Sequence, residues 1–493
     1  MKNKKIIIIG AGPGGLSSAM ILAHRGYDVT MYEKAGKVGG RTSPIEKDGF
    51  TFELGPTFVM LPKVFEDVFR LAGKNLFDYI SWERLDTLYE LHFDDGRKFP
   101  VYFDKDRLKK EIARLFPGDE VNYDRYMKRE NIKYDRTYKC LEVPYSKFYN
   151  YLRWKLLKAL PYMDLNKTIY QVLSRYFNHE DMKISMTFQA KYLGMSPWNC
   201  PGTFSMLSYI EHRFGIYHPI GGVHKITEAM SKVVQENGGK IFLNKAVKEI
   251  IVENNKAVGV RFEDNTEDRA DEVIMNADFA YGMKNLLPEK NRKSWNNKKI
   301  EKSSYSCATF MMYLALDKKY EDLEHHNIFF AKDYKKNVDE IFDNKILSQD
   351  PSFYIQNASK TDNTLAPEGK STIYVLVPIP NLTADIDWNT EKNNYRELIL
   401  NQIIKKTNMK DIKDHILFEK IMTPKDFEKD INVHKGAVFN LAHSIDQMLY
   451  LRPHNKFEDV DNMYLVGGGT HPGSGLPTIL ESGRIVADMI GER

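Results

Sequence analysis

With 493 residues, 42% hydrophobic and 28% charged, the chain is long enough for two or three domains around a sizeable core. A net charge of +4 over that length argues against a dedicated nucleic-acid binder. The cysteines Cys140, Cys200 and Cys307 are far apart and form neither a disulfide framework nor a metal motif, which suits a reducing cytoplasm.

The start, Met1 to Lys5 followed by four isoleucines, superficially resembles a signal peptide. Its apolar run is too short for one and passes straight into a glycine loop. No run in the chain reaches the length of a membrane-spanning helix. Ile6 to Ile9 read as a strand, Gly10-Ala11-Gly12-Pro13-Gly14-Gly15 as a turn, and Leu16 to Arg25 as a helix. Val29 to Tyr32 read as a second strand, closed by Glu33. This is a βαβ unit carrying G-x-G-x-x-G in its proper context. Gly10 allows the tight turn, Gly12 the approach of a pyrophosphate, and Gly15 close packing of helix on strand. The helix N-terminus offers N–H groups to phosphates, and Glu33 is placed for ribose hydroxyls. A bound dinucleotide is expected; the bland alternative is a glycine-rich turn with an incidental acid. A second glycine pair with an arginine, Gly36 to Arg41, adds close backbone and a fixed cation.

Further on, a helix is expected after Pro62, a strand over Leu88–Phe93, a returning edge strand over Phe99–Phe103 and a helix over Leu108–Phe116. Val121 to Gln235 is mostly helical in pattern. Within it, Phe148, Tyr149, Tyr151, Leu152, Trp154, Leu156, Leu157 and Leu160 mingle with Lys147, Arg153, Lys155 and Lys158. That mixture suits a helix lying in a membrane interface, although an ordinary packed helix has the same pattern. Strands are expected at 240–244, 247–252 and 257–262, and 270–278 returns to the core sheet. Thr309–Leu316 and Thr372–Val377 read as strands of a second sheet, and Glu391–Thr407 as a helix. Met463 to Val466 form a buried-type strand before Gly467-Gly468-Gly469-Thr470-His471-Pro472-Gly473-Ser474-Gly475-Leu476-Pro477 and a final helix. This is a second glycine loop opening a helix, hard to explain by NAD alone.

Here a resemblance enters. Glu33 followed by Val38-Gly39-Gly40-Arg41 resembles the FAD-binding start of the amine oxidase and carotenoid desaturase superfamily. The run from Leu465 to Pro477 resembles the signature of bacterial-type phytoene desaturases, and Phe50 to Met60 with Tyr305-Ser306-Cys307 resembles the dehydrosqualene desaturases. The resemblance spans nearly the whole chain. It implies an α/β (α+β) fold: a Rossmann-like FAD domain from residues 1–115, 220–300 and 455–493, a helical membrane-facing region over 116–219, and a substrate domain with a mixed sheet over 301–454. It implies FAD held non-covalently by Gly10, Ala11, Gly12, Gly14, Gly15, Glu33, Lys34, Gly40, Arg41, Gly55, Pro56, Thr57, Val247, Gly468, Gly475, Leu476 and Pro477.

The implied activity is desaturation of a linear carotenoid precursor, phytoene or 4,4'-diapophytoene, by hydride transfer to flavin N5 and proton loss. The implied partners are an apolar polyene, one face of the cytoplasmic membrane, and quinone or oxygen as acceptor, with no nucleic acid and no metal. The location implied is the cytoplasm, peripherally on that membrane. A polyene isomerase or saturase is the nearest rival, an amine oxidase is a more distant one, and a non-enzymatic prenyl-lipid escort is a rival of another class. No catalytic residue is assigned. His471 beside the flavin loop is a tempting base, but a backbone-capping role suits it as well.

Overall fold

The computed structural model describes residues 4–144 and 154–491. β1 (Lys5–Ile9), α1 (Pro13–His24) and β2 (Asp28–Tyr32) form the expected unit, with the strands parallel and Ile8 beside Met31. Ile6 and Ile8 pack into one core cluster, Ile7 and Ile9 into another. Burial on both faces is why an unbroken β-branched run, rather than an alternating one, makes this strand.

A hairpin of β3 (Pro44–Lys47) and β4 (Phe50–Glu53) leads to α2 (Pro62–Leu71), β5 (Thr87–His92), β6 (Lys98–Tyr102) and α3 (Lys105–Leu115). The helical stretch runs through α4 (Asp119–Leu141), α5 (Trp154–Ala159) and α6 (Met206–Phe214). Then come α7 (His224–Glu236), β7 (Lys240–Phe242), the meander β8 (Val247–Glu253), β9 (Lys256–Phe262) and β10 (Glu267–Arg269), and β11 (Glu272–Met275). β12 (Ala308–Leu316), β13 (His326–Phe329), β14 (Phe353–Gln356), β15 (Ser371–Ile379), α8 (Trp388–Lys406) and β16 (Ile416–Met422) follow, before β17 (Met463–Leu465) and α9 (Leu476–Gly491).

Two sheets organise these elements. Five parallel strands lie in the order β17-β11-β1-β2-β7. Seven strands lie in the order β16-β12-β15-β14-β13-β5-β6, antiparallel except for the pair β13 and β5. α1 and α9 cross closely on the first sheet. A Cβ on Gly483 would lie 2.4 Å from Gly14 O. The Ser17 and Ser18 hydroxyls donate to Leu480 O (2.8 Å) and Gly483 O (2.9 Å).

The structure departs from the expected division at residue 115. β5 and β6 fall within the stretch assigned to the nucleotide layer, yet they belong to the seven-stranded sheet. The reason is pairing: β7 closes that end of the parallel sheet, while β13 leaves an edge that β5 fills. β15 also runs two residues beyond the expected end at Val377, where β14 no longer pairs with it.

Lys147, Phe148, Tyr149, Tyr151, Leu152 and Arg153 of the interfacial stretch lie outside the described residues. Its described end is α5, with Trp154 69% exposed. Among the described residues no helix is long and apolar enough to cross a membrane.

Candidate active site

The site begins where β1 stops. Gly10 turns the chain at φ 92°, and its N–H donates to Tyr32 O (2.8 Å). Gly15 has no room for a side chain: a Cβ would sit 2.6 Å from Gly10 O and 2.7 Å from Asn276 Nδ2. Asn276, just past β11, donates to Gly10 O (3.0 Å) and so fixes the loop from behind. Gly12 caps α1 without any side-chain hydrogen bond, so the first-turn N–H groups remain available to an anion. Gly39 N–H donates to Ala11 O (2.8 Å), and a Cβ on Gly40 would be 3.7 Å from Gly12 Cα. Two glycine turns thus flank a groove walled by backbone.

Glu33 stands at the far end of this groove. Its carboxylate accepts from Ala11 N–H and Ala35 N–H, both at 2.8 Å, which leaves lone pairs on each oxygen for ribose hydroxyls. Lys245 N–H donates to Glu33 O (2.9 Å), which brings the chain leading to Val247 alongside. Val247 opens β8 opposite Phe262, whose ring packs edge-on against Tyr32. Backbone donors ending in a carboxylate match the diphosphate and ribose of a dinucleotide.

The second glycine loop meets the first. A Cβ on Gly14 would lie 3.3 Å from Gly467 N. Arg452, buried, donates to Thr470 O (3.0 Å) and Gly468 O (2.6 Å) and so holds this loop by its carbonyls. Burial pulls its guanidinium down to about 9. His471 Nε2 bonds Val143 O at 3.0 Å, and Asn455 donates to His471 O (2.9 Å). Burial keeps this imidazole neutral, down to about 4. It ties the loop to the segment just past α4.

A third segment, Leu54 to Thr57, is gripped by the seven-stranded sheet. Tyr313 donates to Leu54 O (2.7 Å), Tyr374 to Gly55 O (2.8 Å) and Tyr354 to Thr57 Oγ1 (3.0 Å). These tyrosines stand on β12, β15 and β14, which are neighbours in the sheet, and point to one face of it. His326 on β13 continues the row, its Nδ1 2.7 Å from the Tyr354 hydroxyl. Gly55 is required for a separate reason: a Cβ would be 2.7 Å from Arg41 O.

The sequence pattern of flavin-containing amine oxidoreductases covers residues 13–491. A 4,4'-diapophytoene desaturase (4,4'-diapolycopene-forming) of Methylomonas sp is 47% identical, over 99% of this chain and 96% of its own. The chain belongs to the flavin-containing amine oxidoreductases, among the bacterial-type carotenoid desaturases. A neurosporene-forming phytoene desaturase of Rhodobacter capsulatus is 35% identical over 99% of this chain and 94% of its own. An oxidoreductase of Methanosarcina mazei, 16% identical, shares the fold with a TM-score of 0.64 over 99% of this chain and 100% of its own.

The cofactor of this desaturase is FAD. The groove fits it, since the glycines leave room and the free N–H groups await an anion. Of the residues read from the sequence, Gly10 to Gly15, Glu33, Gly40, Gly55 and Gly468 converge on this groove or its two side loops. Gly475, Leu476 and Pro477 open α9 at the end of the second loop. Arg41 lies beside the groove, but it pairs with Asp278 (2.5 Å) and donates to Val438 O (2.9 Å). Lys34 points away, exposed, with its ammonium on Asp430 O (3.1 Å). Sequence reasoning missed Asn276 as the brace behind the loop and the tyrosine row entirely. For Tyr313 and Tyr374 a signal existed, because both sit in strands legible in the sequence. For Tyr354 and His326 the strands themselves left no such signal.

Proposed function

We propose that this desaturase removes hydrogen from adjacent saturated carbons of a linear carotenoid precursor, and that the precursor is the C30 4,4'-diapophytoene. One observation carries the chain length: identity of 47% along the chain to the Methylomonas diapophytoene desaturase, against 35% to the R. capsulatus phytoene enzyme.

In this reading Gly10, Ala11, Gly12, Gly14 and Gly15 hold the diphosphate at the start of α1 by backbone N–H groups. Gly40 and Arg41 line the same groove, Glu33 takes the adenosine ribose and Val247 the adenine side, with Lys34 at the rim. Gly55, Pro56, Thr57, Gly468, Gly475, Leu476 and Pro477 lie along the ribityl chain and ring. When bound, FAD supplies the hydride acceptor. The thiols of Cys200 and Cys307 are pushed far up by burial, so neither is poised to attach it covalently. The chain's own task is to position a substrate without charge or heteroatom and to exclude water from it, which falls to apolar and aromatic side chains. A quinone or oxygen completes the redox balance.

The same reading puts the protein on one face of the cytoplasmic membrane. Trp154, Leu157 and Leu160 are exposed on and beside α5, and Ile445 and Leu451 are exposed on nearby turns. Leu449, which opens the second of those turns, packs on the cluster that holds Leu156 and Ala159, so the two segments adjoin. An apolar patch with a tryptophan and Lys158 suits an interface through which a polyene could leave the bilayer.

Co-expression in a bacterial host making either precursor tests this. Loss of two hydrogens per step from the C30 compound, with absorption moving into the visible, is expected by mass spectrometry and spectroscopy. Conversion of the C40 compound alone would overturn the chain length. No conversion of either, despite bound FAD, would overturn the activity, and an unchanged mass with altered isomers would make the protein an isomerase.

A further inference from the structure

Close to the loop that carries Thr57 lies a buried carboxylate whose partners are all neutral. Glu211, on α6, is 0% exposed. Its Oε2 accepts from the Tyr89 hydroxyl (3.1 Å) and the Gln189 side-chain amide (2.9 Å). The Tyr192 hydroxyl is a third neutral donor to the carboxylate, although Glu211 Oε1 makes no hydrogen bond of good geometry among the described residues. A buried carboxylate with neutral donors and no cation is disfavoured in its charged form.

The surroundings are aromatic. Phe58, next in sequence to Thr57, lies 5.2 Å from the Tyr192 ring and 6.5 Å from the Tyr89 ring. Phe188 meets Tyr89 edge-on at 5.3 Å and Tyr192 at 5.7 Å. His326, at the end of the tyrosine row, stacks on the other side of this group, 4.1 Å from Phe58. The carboxylate and the gripped 54–57 loop therefore share one aromatic cluster, the kind of lining a polyene needs.

We propose that Glu211 accepts the proton lost in each desaturation step. The inference rests on the desaturase reading. In that step one C–H bond yields its hydrogen with both electrons to the bound flavin, which is thereby reduced. The neighbouring C–H bond then breaks. Its electron pair becomes the new carbon–carbon π bond, and its proton passes to Glu211 Oε1. A proton next to a delocalised cation is acidic, so a carboxylate is base enough. Burial pushes Glu211 up to about 7, against the pull of nearby donors on Gln189, Tyr192 and Tyr89. At that value a base is both available and effective. The ionisable groups around it are Tyr89 from β5, Tyr192 from the 188–193 turn, His212 on α6, and Tyr123 and Tyr126 from α4. Burial drives these tyrosines well up and His212 down to about 3, so all are neutral near pH 7. Glu211 is the member of this group whose charge changes there.

The test is Glu211→Gln, an isosteric neutral replacement, in the FAD-loaded protein. Wild type is first mixed anaerobically with 4,4'-diapophytoene in liposomes, and both bleaching of the flavin absorbance and growth of the polyene absorbance of the desaturated product are followed. If wild type does not bleach or convert, the desaturase reading itself fails. Given conversion by wild type, the variant should keep its flavin spectrum, melt no lower than wild type, and lose at least 100-fold in the rate at which desaturated product forms. The wild-type rate should rise with pH through about 7 and that of the variant should be flat. Glu211→Asp should recover part of the rate. An infrared band of a protonated carboxyl should appear on anaerobic turnover of wild type and be absent from the Gln variant. Product formation by Glu211→Gln within threefold of wild type, or a carboxyl band that survives the substitution, would overturn the proposal.

Discussion

The two ends of the candidate site recognise by different means. At the nucleotide end the protein works with backbone: glycine turns, Gly15 among them with no room for a Cβ, the free N–H groups of α1, and one carboxylate already fixed by two amides. At the end around Thr57 it works with side chains, three tyrosines from three strands gripping a loop, and a buried acid with neutral partners. Charged phosphates can be met by fixed dipoles close in sequence. A hydrocarbon has to be enclosed, and the groups that handle its proton must be gathered from distant segments. The first end should therefore fail as a whole when one atom is added, while the second should tolerate loss of single contacts.

The sharpest break of that contrast is Gly15→Ala. The added methyl would collide with Gly10 O and Asn276, neither of which can yield easily. Purified variant should contain no flavin, as read by its absorbance, with a loss of ~3 kcal/mol or more in folding stability. Next comes Arg452→Met. It removes the guanidinium that holds Thr470 O and Gly468 O. A loss of ~3 kcal/mol is expected from a buried charged hydrogen-bond donor, seen as a lower melting temperature and flavin released on gel filtration.

A third test moves the other way. Burial raises Glu211, so the folded chain holds this proton more firmly than the unfolded one. Its stabilising contribution is fully present below the ordinary value of 4.5 and is lost as pH rises through about 7. Glu211→Gln should therefore melt higher than wild type at pH 8, by up to ~3 kcal/mol, with the difference vanishing toward pH 4. Tyr354→Phe should be milder. It removes the bonds to Thr57 Oγ1 and His326 and should cost about 1 kcal/mol, with turnover reduced but flavin retained. Smallest in stability is the pair Trp154→Ser with Leu157→Ser, both on the exposed side of α5. Melting should not change, while sedimentation with anionic vesicles should weaken on the order of tenfold.

Much of the first end is legible in the sequence. Ile6 to Ile9, the glycine turn and Glu33 lie within thirty residues, and each carries its own local requirement: two-sided burial, a left-handed turn, a place for an acid. Asn254 and Asn255, with φ of 47° and 63°, make the turn between β8 and β9 that their residue types imply. The second sheet is only half legible. β12 and β15 are nine-residue apolar runs. β13 (His-Asn-Ile-Phe) and β14 (Phe-Tyr-Ile-Gln) are four residues each, and polar residues in them are buried by pairing partners far away in the chain. The placement of β5 beside β13, across 235 or so residues, has no local trace either.

By itself the sequence determined the nucleotide layer, the two glycine loops and the family they belong to, because steric demands on glycine and the period of buried strands act over a few residues. The tertiary structure alone decided which side chains meet at Thr57. It put Tyr313, Tyr374, Tyr354 and His326 in one row, turned Arg41 toward Asp278, and left Glu211 buried among neutral donors. Those outcomes follow from strand register and long-range packing, which no window of sequence contains.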